Sequence, residues 1–169
     1  MANAFRLACV QVNAGNEIAP NLEIASQLTR QAAAEGADFI SLPECVALLE
    51  PDRAALLRKS ATAADHPALK AFTDLAGELG KWIHVGSLAV LSEGGRVANR
   101  TFLIDPQGSV TATYDKIHMF DVDLDGGDSY RESNTYQPGD AAVMADLPWG
   151  AAGLTICYDV RFPALYTHL

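Results

Sequence analysis

The chain is short of cysteine and of positive charge, and each shortage excludes something. Three cysteines in 169 residues, at positions 9, 45 and 157, form an odd and widely spaced set. No disulfide framework is implied, and a reducing cytoplasm is the expectation. Twelve Lys and Arg stand against 21 Asp and Glu, for a net charge of −9. Arg30, Arg53, Arg58, Lys59, Lys70 and Lys81 are scattered and form no basic stripe. That balance disfavours nucleic acid and anionic membranes as partners. The opening MANAFRLACVQVNAG lacks the apolar core and small-residue cleavage pattern of a leader, and no segment reads as a membrane span. The four histidines have no zinc-ligand spacing, and neither a G-x-S-x-G motif nor a Ser-His-Asp order is present. No metal and no cofactor is expected. What remains is ordinary globular composition, 49% hydrophobic and 20% charged, in a chain long enough to bury a core unaided.

The hydrophobic pattern predicts alternating elements. FRLACVQV (5–12) reads as a strand. Pro20 opens a helix with Leu22, Ala25, Leu28 and Ala32 on one face and Gly36 past its end. ADFISLP (37–43) reads as strand again. Asp65 is the expected N-cap of a second helix, with Pro67 in its first turn. Leu69, Phe72, Leu75 and Leu79 form its apolar stripe, and Gly80 stops it. Beyond residue 81, WIHVGSLAVL, RVANRTFLID and SVTATYDK are separated by SEGG and DPQG, the pattern of a strand meander. AAVMADLPWGAAGLTIC adds two runs broken by Pro148 and Gly150. The pattern implies one α/β domain over 1–169, with helices on the outer face of a sheet and the strand meander forming part of a second, more antiparallel one. The irregular stretch 118–139 is long enough to suggest function.

DVDLDGGDSYRE (121–132) satisfies the calcium-loop pattern D-x-D-x-D-G-x5-E. Its flanks do not fit. An EF-hand needs helices on both sides, whereas SVTATYDKIHMF is rich in β-branched residues and SNTYQPGD carries Pro138 and Gly139. Asp128 also occupies the usual apolar position. A calcium-binding domain is therefore the weaker alternative. Glu132 belongs either to a solvated acidic loop or to an active site.

GLTICYDVRFP (153–163) places a thiol at the end of an apolar run. By spacing alone Cys157 is a buried strand cysteine. A base, an oxyanion partner and an orienting shell would make it a nucleophile. Glu44 in SLPEC and Lys116 in YDKIHMFD, each at a predicted strand end, are the candidates, although either also fits a solvated position.

LPE, YDKIHMFD, YRES…PGD and GLTICYDVRFP occur in this order. Together they resemble the nitrilase superfamily of carbon–nitrogen hydrolases, nearest its omega-amidase and deaminated glutathione amidase branch. The resemblance implies a Glu-Lys-Cys triad at Glu44, Lys116 and Cys157, with the additional family glutamate at Glu132. It implies a thioester route from a small carboxylate-bearing amide to acid and ammonia. Lys116 and the backbone N–H of Tyr158 would face the oxyanion, and Lys116 would lower the Cys157 pKa. Arg161 would clamp a substrate carboxylate, or else pair with Asp159 or a neighbouring acid. The implied fold is the N-terminal part of a four-layer α-β-β-α sandwich with its C-terminal part missing, and the complete enzyme would be a homodimer. An inactive truncated fragment, acting at most as a binding or assembly module, is the alternative.

Overall fold

A computed structural model describes residues 4–92, 94–127 and 129–169. Glu93 of the SEGG turn and Asp128 of the acidic loop lie outside the described residues. In chain order the elements are β1 (Leu7–Cys9), α1 (Ile18–Ala34), β2 (Phe39–Ser41), α2 (Arg53–Lys59), α3 (Pro67–Leu79), β3 (Trp82–Leu91), β4 (Val97–Ile104), β5 (Val110–Asp115), β6 (Asp121–Asp123), β7 (Ser129–Arg131), β8 (Tyr136–Gln137), β9 (Val143–Leu147), β10 (Gly150–Leu154) and α4 (Pro163–His168). Short 3-10 turns at Glu132–Asn134 and Cys157–Arg161 carry Glu132, Cys157, Tyr158 and Arg161 among the candidate site residues.

The main sheet runs β1-β2-β3-β4-β5, so the meander extends the first sheet through the β2–β3 pairing instead of forming part of the expected second one. Its first three strands are parallel, β3 to β5 are antiparallel, and β8 pairs in parallel with the start of β4. Alternation along the strands divides the sheet's faces. Ile40, Ile83, Val85, Phe102 and Ile104 face α1 and α3 and form the main core with Ala25, Leu69, Phe72 and Leu75. Tyr114 packs instead with Leu154 and Ile156, beyond the β9–β10 hairpin. Helices, sheet and hairpin thus follow the α-β-β order of a nitrilase-like α/β fold.

Several boundaries depart from the sequence expectations for local reasons. α1 begins two residues before Pro20, and its most buried stripe is Asn21, Ala25 and Thr29. Small and hydrogen-bonded side chains fit the close approach there: the Asn21 amide donates to Gly15 and Ala47 carbonyls, and the Thr29 hydroxyl to the Ala25 carbonyl. The α3 cap is His66, not Asp65: His66 Nδ1 accepts from the Ala68 amide at 3.2 Å, while Asp65 is taken by the Thr62 hydroxyl. Gly80 ends α3 in the left-handed region, as expected. Residues 118–139 hold a β6–β7 hairpin rather than only loop.

Candidate active site

Three structural devices deliver the site residues. The first is a sharp turn after β2. Val46 and Ala47 bury the turn's far side, and Cys45 takes a positive φ of 53°. The Cys45 amide donates to Ser87 Oγ at 2.8 Å. Gly86 lies directly beneath: a Cβ there would sit 2.2 Å from the Leu42 carbonyl oxygen. The missing side chain lets β3 hold the turn that carries Glu44.

The second device is the β4–β5 pair. The Lys116 amide donates to the Asn99 carbonyl at 3.0 Å, which extends the ladder by one step. Lys116 is 2% exposed, and its Nζ donates to Glu44 Oε1 at 3.0 Å and to both Glu132 oxygens at 2.9 and 3.1 Å. Burial works against the ammonium charge, but the two carboxylates outweigh it, and the Lys116 pKa stands above its ordinary value. Glu132 is also fixed by the Phe120 amide at 2.6 Å.

The third device is the turn after β10. Cys157 has a φ of 46°, a conformation costly for a side-chain-bearing residue and held only by its surroundings. Those surroundings centre on Asp159, which is fully buried. Its carboxylate accepts from Ile156 N at 2.9 Å, Tyr114 Oη at 2.7 Å and His118 N at 3.0 Å, with His118 Nδ1 at 2.7 Å. The Cys157 turn is thereby tied to the strand that leads into Lys116.

Glu44, Lys116, Glu132 and Cys157 line one cavity of about 440 Å³, with Cys45, Leu49, Asn99, Phe120, Tyr130 and Tyr136 among its other walls. The expected convergence of acid, amine and sulfur is present. Tyr158 is half-buried and packs edge-on against Phe120 and Phe162, with ring centroids 5.1 and 5.4 Å away. Arg161 is exposed and does not line this cavity. The alternative partner considered for it, Asp159, is committed to the contacts above.

The expected effect of Lys116 on Cys157 is present but outweighed. Lys116 does pull the Cys157 pKa down, but the net shift is upward. Desolvation is the largest cause, although the residue as a whole is exposed, and the negative charge of Glu44 adds to it. Cys45 is pushed up to about 12, first by burial and then by Glu44, as befits an inert neighbour. Asn99 was missed from the sequence. It sits mid-strand in VANRTFLI, where nothing distinguishes it from an outward-facing polar residue.

Among the described residues the acidic segment is no EF-hand loop. It folds on itself as the β6–β7 hairpin, Asp123 pairs with Arg131, Asp121 accepts from Ser133, and Glu132 turns into the cavity.

The layered sheet and the Glu-Lys-Glu cluster facing a thiol define a nitrilase-like α/β protein. The chain belongs to the carbon–nitrogen hydrolase family, whose model matches residues 6–169. It is 38% identical to a deaminated glutathione amidase of Yersinia enterocolitica over its whole length, covering 59% of that protein. It is 33% identical to the human omega-amidase NIT2, with 96% of this chain and 58% of that protein covered. In structure it is similar to the C. elegans NitFhit protein, with a TM-score of 0.88 at 28% identity over 98% of this chain and 41% of that one. The chain spans about half to three-fifths of the length of the curated relatives it matches. No helix among the described residues is long and apolar enough to cross a membrane.

Proposed function

We propose that this chain carries the thiol chemistry of an amidase that converts a small carboxylate-bearing amide to acid and ammonia. The observation that carries this reading is the meeting of Glu44, Lys116 and Cys157 around one cavity. Glu44 accepts the thiol proton as Cys157 Sγ adds to the amide carbon. Lys116 Nζ and the Tyr158 amide stabilise the oxyanion, and one such donor is worth about 10²–10³ in rate. Glu44 returns the proton to nitrogen, ammonia departs and a thioester remains. Glu44 then deprotonates water, which attacks the thioester, and the acid leaves with the thiol restored. Glu132 holds Lys116 in place through paired hydrogen bonds.

Arg161 is the proposed clamp for the substrate carboxylate. It stands four residues beyond the nucleophile on the same turn, and it forms no ion pair among the described residues. Arg131, on the cavity wall, is already bound to Asp123 and two carbonyls. The names of the relatives favour omega-amides. The working form proposed for the whole protein is a cytoplasmic homodimer, as the family resemblance implies.

Ammonia release from 2-oxoglutaramate tests the reading. Cys157→Ala should abolish it, and Lys116→Ala should lower kcat by roughly 10²–10³. Release no greater than that of Cys157→Ala would leave the chain a binding or assembly module.

A further inference from the structure

Asn99 is 2% exposed, yet its side chain touches both acids of the site. Its Nδ2 donates to Glu44 Oε1 at 2.7 Å and to Glu132 Oε1 at 3.3 Å. Two carboxylate acceptors fix which end of the amide is nitrogen. Its Oδ1 is then buried with no partner among the described residues. A buried orphan acceptor is unfavourable and calls for a reason. An apolar side chain of the same size would avoid it, at the loss of both donations.

Glu44 Oε1 takes two hydrogen bonds, from Lys116 and from Asn99. Neither of these donors reaches Oε2. We infer that Asn99 is a positioning residue for the base: with Lys116 it pins Oε1, so that Oε2 is the oxygen that takes the Cys157 proton. The inference rests on the proposed amidase reading. The charged and titratable groups facing Glu44 are Cys45 on its own turn, Lys116 after β5, Glu132 in its 3-10 turn, Tyr136 in β8 and Cys157, with Glu50, Tyr130 and Arg131 on the cavity wall. Of the two side chains that donate to Glu44 Oε1, Asn99 is the uncharged one.

The test is acylation of Cys157 by a p-nitrophenyl ester of a small acid. It is followed by p-nitrophenol release and by the mass added at that residue, and thermal midpoints are recorded in parallel. Asn99→Leu should hold or raise the midpoint, because the orphan is gone, and should slow acylation roughly tenfold or more with KM unchanged. Asn99→Asp places another carboxylate against Glu44, and the two must share a proton. The acid limb of its pH–rate profile should move up by about half a pH unit or more. A structural role alone would lower the midpoint and leave the limb where it was. Glu44→Gln is the control and should slow acylation by about 10²-fold or more. If Glu44→Gln is slow while Asn99→Leu matches wild type in rate, and the Asn99→Asp limb stays in place, the inference fails and the amidase reading stands. If Cys157 is not acylated, or Glu44→Gln matches wild type, the reading fails and the inference with it.

Discussion

At the scale of single residues, the polar groups buried in the sheet carry a pH signature. His84 sits in a chain of hydrogen bonds across three strands. The Thr101 hydroxyl donates to the Val85 carbonyl at 2.7 Å, so its oxygen accepts from His84 Nε2–H at 2.8 Å. His84 Nδ1 is then an acceptor, filled by the Ser41 hydroxyl at 2.9 Å. That arrangement requires a neutral ring, and burial lowers the His84 pKa to about 4. An unfolded chain binds the proton nearer pH 6.5, so the unfolded state gains protons first. The contribution of His84 to stability is full above about pH 6.5 and is lost as pH falls toward 4. It amounts to at most about 3 kcal/mol. His84→Gln should flatten the stability curve between pH 6.5 and 4.5 relative to wild type in urea melts. Parallel curves for the two proteins would show that the ring charges without cost. None of this was legible beforehand, because WIHVGSLAV reveals the strand but not what His84 faces. Cys157 teaches the same lesson: Lys116 could be read from the sequence as a neighbouring cation, but the desolvation and the Glu44 charge that outweigh it exist only after folding.

At the scale of elements, the apolar stripe of α3, its glycine stop and the strand meander were legible because local periodicity and turn chemistry dictate them. The turn at Glu44 was not. It depends on a glycine 42 residues away in β3, which no local pattern connects to LPEC. Gly86 is needed for space rather than for backbone freedom, since its Cβ would meet the Leu42 and Pro43 carbonyl oxygens at 2.2 and 2.5 Å. Backbone atoms cannot step aside as a flexible side chain would. Gly86→Ala should therefore cost about 1–3 kcal/mol in chemical denaturation. It should also lower amide hydrolysis by on the order of 10²-fold, through displacement of Glu44. Loss of stability with kcat intact would show that the turn adapts without moving its carboxylate.

At the scale of the whole molecule, the proposed nucleophile and its proposed base belong to parts of very different robustness. Glu44 and Lys116 stand on the main sheet, whose core joins four strands to α1 and α3. Cys157 stands on the end of the β9–β10 hairpin, whose buried cluster is only Tyr114, Leu154 and Ile156, with Ala112, Ile117 and Val143 partly covered beside it. Elements with few buried apolar contacts open at lower free energy than the global transition. Tyr114 is the fastening: its hydroxyl donates to Asp159 at 2.7 Å and accepts from the Ile117 amide at 3.2 Å. Tyr114→Phe keeps the ring in the cluster and leaves a buried carboxylate one donor short and a backbone amide unpaired. The cost should be about 1–3 kcal/mol, borne by the hairpin and the nucleophile turn. Because roughly 1.4 kcal/mol is a tenfold change in an equilibrium constant, amide exchange over 143–162 should quicken by about tenfold or more, while β3 and β4 keep their protection. Hydrogen exchange read by mass spectrometry decides it. Uniform acceleration across both regions would mean that the sheet and the thiol-bearing turn open as one unit, and Cys157 would then leave its carboxylate only when the whole chain unfolds.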